Sequence, residues 1–88
     1  MRFAVYADLA RLLNELERSA LSEALDRNVP DSGCVGRQKG ATDEVYFTVE
    51  AHSETEAAAL ATHYMQVVLQ EAGLTVEYAL DLQRYPRT

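Results

Sequence analysis

The spacing of hydrophobic residues predicts a first amphipathic helix near the start of the chain. From Leu9 to Leu25, apolar residues recur at steps of three and four, which places them in one stripe along a helix. Asp8 is a candidate N-cap, because its side chain can accept backbone N–H groups, and Asn28-Val29-Pro30 predicts the helix end. The stripe consists of Leu9, Leu12, Leu13, Leu16, Ala20, Leu21, Ala24 and Leu25.

A second amphipathic helix is predicted over roughly residues 54 to 72. Ser53 and Glu56 fit a capping box, in which each side chain accepts a free backbone N–H from the other residue. Gly73 fits the C-cap, since glycine adopts the left-handed conformation without a steric penalty. The apolar stripe of this helix consists of Ala57, Leu60, Ala61, Tyr64, Val68 and Ala72.

Alternation of apolar and polar residues predicts a half-buried strand on each side of the second helix. Before the helix, the apolar positions are Val45, Phe47, Val49 and Ala51. After it, they are Leu74, Val76, Tyr78, Leu80 and Leu82. The second half of the chain is therefore predicted to be β-α-β.

The first half of the chain resembles the second. FAVYAD at residues 3–8 and FTVEAH at residues 47–52 share Phe, Val and Ala at the same spacing, and each leads into a predicted helix. A structural duplication predicts both features together. The first half should then also end in a strand, which falls within SGCVGRQKG at residues 32–40. A tight turn at about Gly40 to Asp43 would connect it to the next strand.

The resulting order, β-α-β-β-α-β, predicts an α+β fold of the ferredoxin-like, split βαβ type. Such a fold has a four-stranded antiparallel sheet with two helices on one face. The second strand, at about residues 33–39, is the weakest element, because three glycines lie between residues 29 and 42. The alternative is a loop over residues 29–42, which would leave three strands.

In this fold the first and third strands are adjacent, antiparallel and central, which predicts a pairing register. The predicted partners on the face away from the helices are Arg2 with Glu50, Ala4 with Thr48, and Tyr6 with Tyr46. Opposite charges and aromatic pairs are stabilising cross-strand combinations, which favours this register.

Composition limits the classes of function. The 88 residues are predicted to form a single domain over residues 1–88. A net charge of −6 repels phosphate backbones and argues against nucleic-acid binding. No stretch approaches the roughly 18 apolar residues of a transmembrane helix, and the start, MRFAVYADLARLL, lacks the pattern of a signal peptide. Because Cys34 is the only cysteine, no internal disulfide is possible, and a cytoplasmic protein is expected.

Neither histidine has partners that predict catalysis or metal binding. His52 ends the third strand and Asp8 ends the first, and antiparallel pairing places these residues about 15–20 Å apart. His63 lies on the polar side of the second helix with Gln66 and Gln70. Since neither histidine has a second histidine or a cysteine four residues away, no metal site, cofactor or catalytic residue is predicted.

The most basic and flexible segment lies between Gly33 and Gly40. Arg37 and Lys39 stand among its glycines and are weak candidates for binding a phosphate or carboxylate group. Their spacing matches neither a P-loop nor a dinucleotide motif, so a turn with solubilising charges is the simpler interpretation. A small-molecule-binding regulatory module, with its ligand here or at a dimer interface, is the alternative function that follows.

The main functional candidates lie on the sheet face away from the helices. Tyr6, Tyr46, Thr48 and Glu50 are predicted there, and tyrosine combines a large contact area with a polar end, which suits protein interfaces. RNA bases could stack on such tyrosines, but acidic residues on the same face argue against it.

These patterns favour a small, acidic, non-catalytic protein-interaction domain, either a homodimer or an accessory subunit of another protein. A small enzyme that uses Cys34 or His52 is a less favoured alternative. A reactive cysteine requires a neighbouring base or positive charge, and Arg37 and Lys39 are the only such groups close to Cys34 in sequence.

Overall fold

A computed structural model describes residues 1–30, 33–37 and 42–85. These residues form four strands in one antiparallel sheet and two helices, in the order β-α-β-β-α-β, which confirms the ferredoxin-like topology. The strand order in the sheet is β2-β3-β1-β4, so that β1 and β3 are central. The elements are β1 (Arg2–Leu9), α1 (Glu15–Asn28), β2 (Cys34–Arg37), β3 (Asp43–Glu50), α2 (Glu54–Ala72) and β4 (Tyr78–Tyr85).

The predicted register of the two central strands is confirmed. The strands β1 and β3 pair antiparallel along their length, and the pairs include Arg2 with Glu50, Ala4 with Thr48, and Tyr6 with Tyr46. Because side chains alternate between the two faces of a strand, this register decides which residues face the helices.

Alternate residues of β1 and β3 face the helices and form the centre of the hydrophobic core. Phe3, Val5 and Ala7 of β1 are buried together with Phe47 and Val49 of β3. Both copies of the Phe-Val-Ala pattern therefore supply core residues, as the likeness of FAVYAD to FTVEAH predicts. The helices complete this cluster with buried side chains, among them Leu21, Ala24, Leu25, Ala57, Ala61, Met65 and Val68.

The predicted start of the first helix is wrong. Residue Leu9 belongs to β1 and is buried, and α1 begins only at Glu15. Asp8 is therefore not the N-cap. That position is taken by Asn14, whose side chain accepts from the Glu17 N–H at 2.8 Å, while the Glu17 carboxylate accepts from the Asn14 N–H at 2.9 Å. This reciprocal pair satisfies two free N–H groups at the first turn, which explains why the helix begins there.

The later start of α1 also changes which leucines are buried. The side chains of Leu12 and Leu16 were expected in the apolar stripe, but they are 41% and 83% exposed. Leu12 precedes the helix, and Leu16 lies in its first turn on the side facing solvent. The part of the stripe that packs on the sheet consists of Leu21, Ala24 and Leu25.

The predicted limits of the second helix are confirmed. The Ser53 hydroxyl accepts from the Glu56 N–H at 3.2 Å, as the predicted capping box requires, but the Glu56 carboxylate accepts from the His52 N–H at 3.3 Å, one residue before its predicted partner. At the other end Gly73 has a φ of 71°, in the left-handed region where a side chain is disfavoured. Helix α2 therefore begins and ends where its capping residues indicate.

The last strand begins later than the alternation predicts. Alternation starts at Leu74, but β4 spans Tyr78–Tyr85. The Leu74 N–H donates to the Leu69 carbonyl at 2.9 Å, so the chain is still held at the end of α2. Pairing with β1 then sets the start of β4, because Leu9, the last residue of β1, is opposite Tyr78.

The short second strand is present, and the alternative of a continuous loop over residues 29–42 is wrong. Strand β2 pairs antiparallel with β3, with Cys34 opposite Tyr46. Gly33, which precedes it, lies so close to β3 that an added Cβ would be 3.0 Å from the Tyr46 carbonyl oxygen. This close approach favours glycine at the start of the strand. The first half of the predicted turn at Gly40 to Asp43, residues 40 and 41, lies outside the described residues.

Candidate functional site

The sheet face away from the helices, called the open face here, carries a central aromatic pair. The rings of Tyr6 and Tyr46 lie on adjacent strands with centroids 5.1 Å apart and planes tilted by 49°. Such tilted contacts between rings at this separation are favourable. Both side chains are half-buried, so part of each remains accessible to a partner.

Small residues lie beside this pair on the open face. Ala4 and Thr48 are opposite each other, one step along the same face from the two tyrosines. Although Ala4 faces away from the helices, it is only 3% exposed, because the larger side chains around it close over its methyl group. The centre of the open face is therefore a packed surface of rings and methyl groups.

One end of the open face carries an exposed ion pair. The Arg2 Nε lies 3.4 Å from the Glu50 Oε1, and the amino terminus lies 3.6 Å from the Glu50 Oε2. Both Arg2 and Glu50 are exposed, so the pair stabilises the fold by at most about 1 kcal/mol. The Glu50 carboxylate remains largely exposed in this pair, so a basic group of a partner can reach it.

The other end of the open face is acidic. Asp8 of β1 lies between Glu44 on β3 and Ala79 on β4, and Asp81 is two residues farther along β4. Within the described residues the Asp8 Oδ1 is buried and accepts no hydrogen bond. A buried carboxylate oxygen without a donor is stabilised when a hydrogen-bond donor or a cation approaches it. This end of the open face therefore attracts basic groups.

A buried carboxylate on the other side of the sheet was not found from the sequence. Asp43, at the start of β3, is fully buried and accepts from the Arg18 Nε at 3.1 Å and from the Leu13 N–H at 2.5 Å. These bonds connect β3 to α1 and to the chain before it. The sequence does contain a sign of this burial: Asp43 continues the alternate positions of Val45 and Phe47, so it lies on the face of the strand that packs on the helices.

The two sequence-based enzyme candidates are not brought together. Cys34 is exposed at the edge of the open face, opposite Tyr46. His52 is exposed and lies just after β3, whereas Asp8 pairs with Glu44 at the opposite end of that strand. In the described ranges, no group of three or more His, Cys, Asp or Glu side chains has a geometry that could hold a metal ion.

The anion-binding candidates cannot be placed as a site. Arg37 ends β2, but its side chain lies outside the described part of the chain, as does all of Lys39. The two basic side chains that would contact a ligand are thus not described. Binding of a phosphate or carboxylate group there stays a sequence-based hypothesis.

Comparison with known proteins gives no functional assignment. No protein-family model, no curated protein and no solved structure matches the chain. Neither helix in residues 1–30, 33–37 and 42–85 has the length and apolar content needed to cross a bilayer.

Proposed function

We propose that this chain is a small, non-catalytic protein-interaction domain that binds its partner through the open face. The packed pair of Tyr6 and Tyr46 at the centre of that face is the observation that carries the proposal. In this role the chain acts in the cytoplasm, with a second copy of itself or another protein as partner.

The aromatic pair suits the centre of an interface. A tyrosine buries a large area at a small cost in conformational entropy, and its hydroxyl can bond to a partner without burying an unpaired polar group. Because Tyr6 and Tyr46 already pack on each other, little side-chain freedom is lost when a partner covers them. Thr48 and Glu50 then lie beside the pair as polar contacts on the same strand.

The charges around the pair indicate the kind of partner surface. Asp8 and Asp81 lie at one end of the open face and Glu50 at the other, in a chain with a net charge of −6. Complementary charge speeds association and disfavours wrong partners more than it adds affinity. A partner with an apolar patch bordered by arginine or lysine fits this arrangement.

Photo-crosslinking from the open face tests the proposal. A benzoylphenylalanine at position 46 should form adducts in cells with a defined partner, because the ring would be covered in the complex. The same group at position 23 is the matched control, since Glu23 is exposed on α1 on the helical side of the molecule. The mass of the adduct distinguishes a second copy of the chain from another protein.

The partner identified in this way is then measured with purified proteins. Tyr6→Glu should lower its affinity at least tenfold, because a charge would be buried at the centre of the contact. Glu23→Gln should leave the affinity unchanged. Equal adduct yields from positions 46 and 23, or an affinity unaffected by Tyr6→Glu, would show that the open face is not the interaction surface.

A further inference from the structure

The outer strand β4 leaves apolar side chains partly uncovered. Tyr78, Leu80 and Leu82 point toward the helix layer but are only half-buried, whereas Val5 and Ala7 on the adjacent strand are fully buried. The difference follows from position. Strand β4 is the last in the sheet, and of the two helices only α2 contacts it. One edge of the core therefore remains exposed.

The main chain of the same residues is also unpaired at this edge. The Ala10 N–H donates to the Glu77 carbonyl at 2.8 Å, one step beyond the pair of Leu9 and Tyr78. In an antiparallel ladder, hydrogen-bonded and non-bonded pairs alternate. The N–H and C=O groups of Tyr78, Leu80 and Leu82 therefore point away from β1, and no strand among the described residues pairs with them.

The half-buried apolar residues of this edge, Tyr78 and Leu82, lie symmetrically about Leu80. Residues 76–84 read VEYALDLQR, with Leu80 at the centre. If a second β4 were placed antiparallel about a twofold axis at Leu80, the opposing residues would be Tyr78 with Leu82, Ala79 with Asp81, and Glu77 with Gln83. In this register the half-buried Tyr78, Leu80 and Leu82 face only one another, and no carboxylate lies directly opposite another.

Other registers are less favourable. A twofold axis at Asp81 would place two carboxylates directly opposite each other, which is destabilising. An axis at Leu82 would place Arg84 opposite Leu80, so that a cation would face the apolar strip. Of these three registers, the axis at Leu80 alone keeps both the carboxylates apart and Tyr78, Leu80 and Leu82 against one another, and this self-complementarity favours a second copy of this chain as the occupant.

We propose that β4 is a homodimer interface, at which two copies pair antiparallel about a twofold axis at Leu80. The contact would form about six main-chain hydrogen bonds between the two strands. It would also cover the half-buried Tyr78, Leu80 and Leu82 of each copy and continue the sheet across the dimer. This surface is separate from the open face, although the two open faces would then join into one wider surface.

Disulfide trapping tests the interface and its register. In a Cys34→Ser background, Leu80→Cys places two thiols opposite each other, with Cα atoms about 5.5 Å apart, within the range of roughly 4.4–6.8 Å that a disulfide spans. Mild oxidation should therefore convert this variant to a covalent dimer. Ala79→Cys is the matched control, because its symmetry mate lies two residues away along the strand, beyond about 7 Å. It should crosslink at least tenfold more slowly.

Light scattering at increasing concentration gives an independent measurement. The unmodified chain should dimerise, and Leu80→Lys should weaken the dimer at least tenfold, because two cations would meet at the axis. Thermal unfolding checks that Leu80→Lys is folded. The trapping experiment uses Leu80→Cys and is independent of how Leu80→Lys folds. A chain that stays monomeric at millimolar concentration with no Leu80→Cys crosslink overturns the proposal.

Two further outcomes separate this inference from the proposed function. If Tyr6→Glu dissociates the dimer and Leu80→Lys does not, self-association belongs to the open face and the β4 proposal is wrong. If Leu80→Lys dissociates the dimer while the open face gives no specific adduct, the β4 interface is supported and the proposed function is wrong.

Discussion

At the scale of single residues, Asp43 shows how a charge can be accommodated in the core. Its carboxylate is fully buried, yet the Arg18 guanidinium and the Leu13 N–H supply donors to both oxygens. A buried carboxylate without such donors would cost several kcal/mol. The group therefore fixes the start of β3 against α1 and the segment before it.

Removing the Asp43 carboxylate should strongly destabilise the fold. We expect Asp43→Ala to lower the free energy of unfolding by about 3 kcal/mol, because Arg18 would keep a partly buried charge with no acceptor. Asp43→Asn should lose less, since its amide oxygen can still accept from the Leu13 N–H. Urea denaturation measures both changes.

The exposed pair of Arg2 and Glu50 provides the control for this prediction. Glu50→Ala removes a carboxylate of the same kind from a solvated position and should cost less than about 1 kcal/mol. If Asp43→Ala and Glu50→Ala lower the free energy of unfolding equally, burial does not make the Asp43 carboxylate more important for stability than an exposed one.

The residues of the candidate site were predictable to different degrees. The pairing of Tyr6 with Tyr46 followed from the sequence, because the topology makes β1 and β3 antiparallel neighbours and the alternation of side chains then decides which residues share a face. The burial of Ala4 did not follow, since it depends on the sizes of neighbouring side chains in three dimensions. The bonds of Asp43 depend on where the segment between β1 and α1 runs, and no local pattern specifies that path.

At the scale of elements, the first turn of α1 depends on one carboxylate with two functions. Glu17 accepts from the Asn14 N–H at the cap and forms an ion pair with Arg11, whose Nη2 lies 2.8 Å from the Glu17 Oε2. These two bonds, of which the one from Arg11 has the larger effect, lower the pKa of Glu17 from 4.5 to about 2. The negative charge also lies near the helix N-terminus, where the helix dipole favours it.

The lowered pKa predicts how stability changes in acid. Because the folded state holds the Glu17 proton less tightly than the unfolded chain, the stabilisation is present above pH 4.5 and is lost as the pH falls toward 2. In Glu17→Gln the melting temperature should therefore fall less over this range than in the unmodified chain. Thermal unfolding at a series of pH values measures the difference.

A second carboxylate serves as the internal reference. The pKa of Glu71 is also lowered, by hydrogen bonds from Asn28 and Arg27, and this group is present in both proteins. Its contribution cancels when the two pH profiles are subtracted. Identical profiles would mean that the ion pair and the cap do not form in solution.

The two helices differ in how far the sequence specified them. For α2 the capping residues stand next to the apolar pattern, so both limits were predicted. For α1 the apolar pattern of the strand passes into that of the helix without a break, because Leu9 serves β1 and Leu13 fills the core before the helix begins. Only the spacing of Asn14 and Glu17 marks the true start.

At the scale of the whole molecule, the sheet has a stable centre and weaker edges. Strand β1 pairs with both β3 and β4, whereas β2 pairs with β3 alone over four residues. Local opening requires the loss of fewer contacts at β2 than at β1. The topology thus predicts a gradient of local stability across the sheet.

Amide hydrogen exchange should show this gradient. The alternation of bonded pairs places the N–H groups of Cys34 and Gly36 toward β3, so these amides are comparable with those of Val5 and Phe47. We expect Cys34 and Gly36 to exchange at least tenfold faster, because β2 can detach while the rest of the sheet stays folded. Equal rates, measured by NMR, would show that the sheet opens only as a unit.

The central position of β1 has a consequence for how the chain folds. Its partners are distant in sequence, since Arg2 lies opposite both Glu50 and Tyr85, and the sheet cannot be completed until both ends of the chain meet. Contacts between distant segments slow folding, because loop closure must precede the gain from pairing. The two helices can form early and locally, but the apolar face of β1 remains exposed until β3 and β4 arrive. The slow step in folding is therefore expected to be the capture of β1 between them.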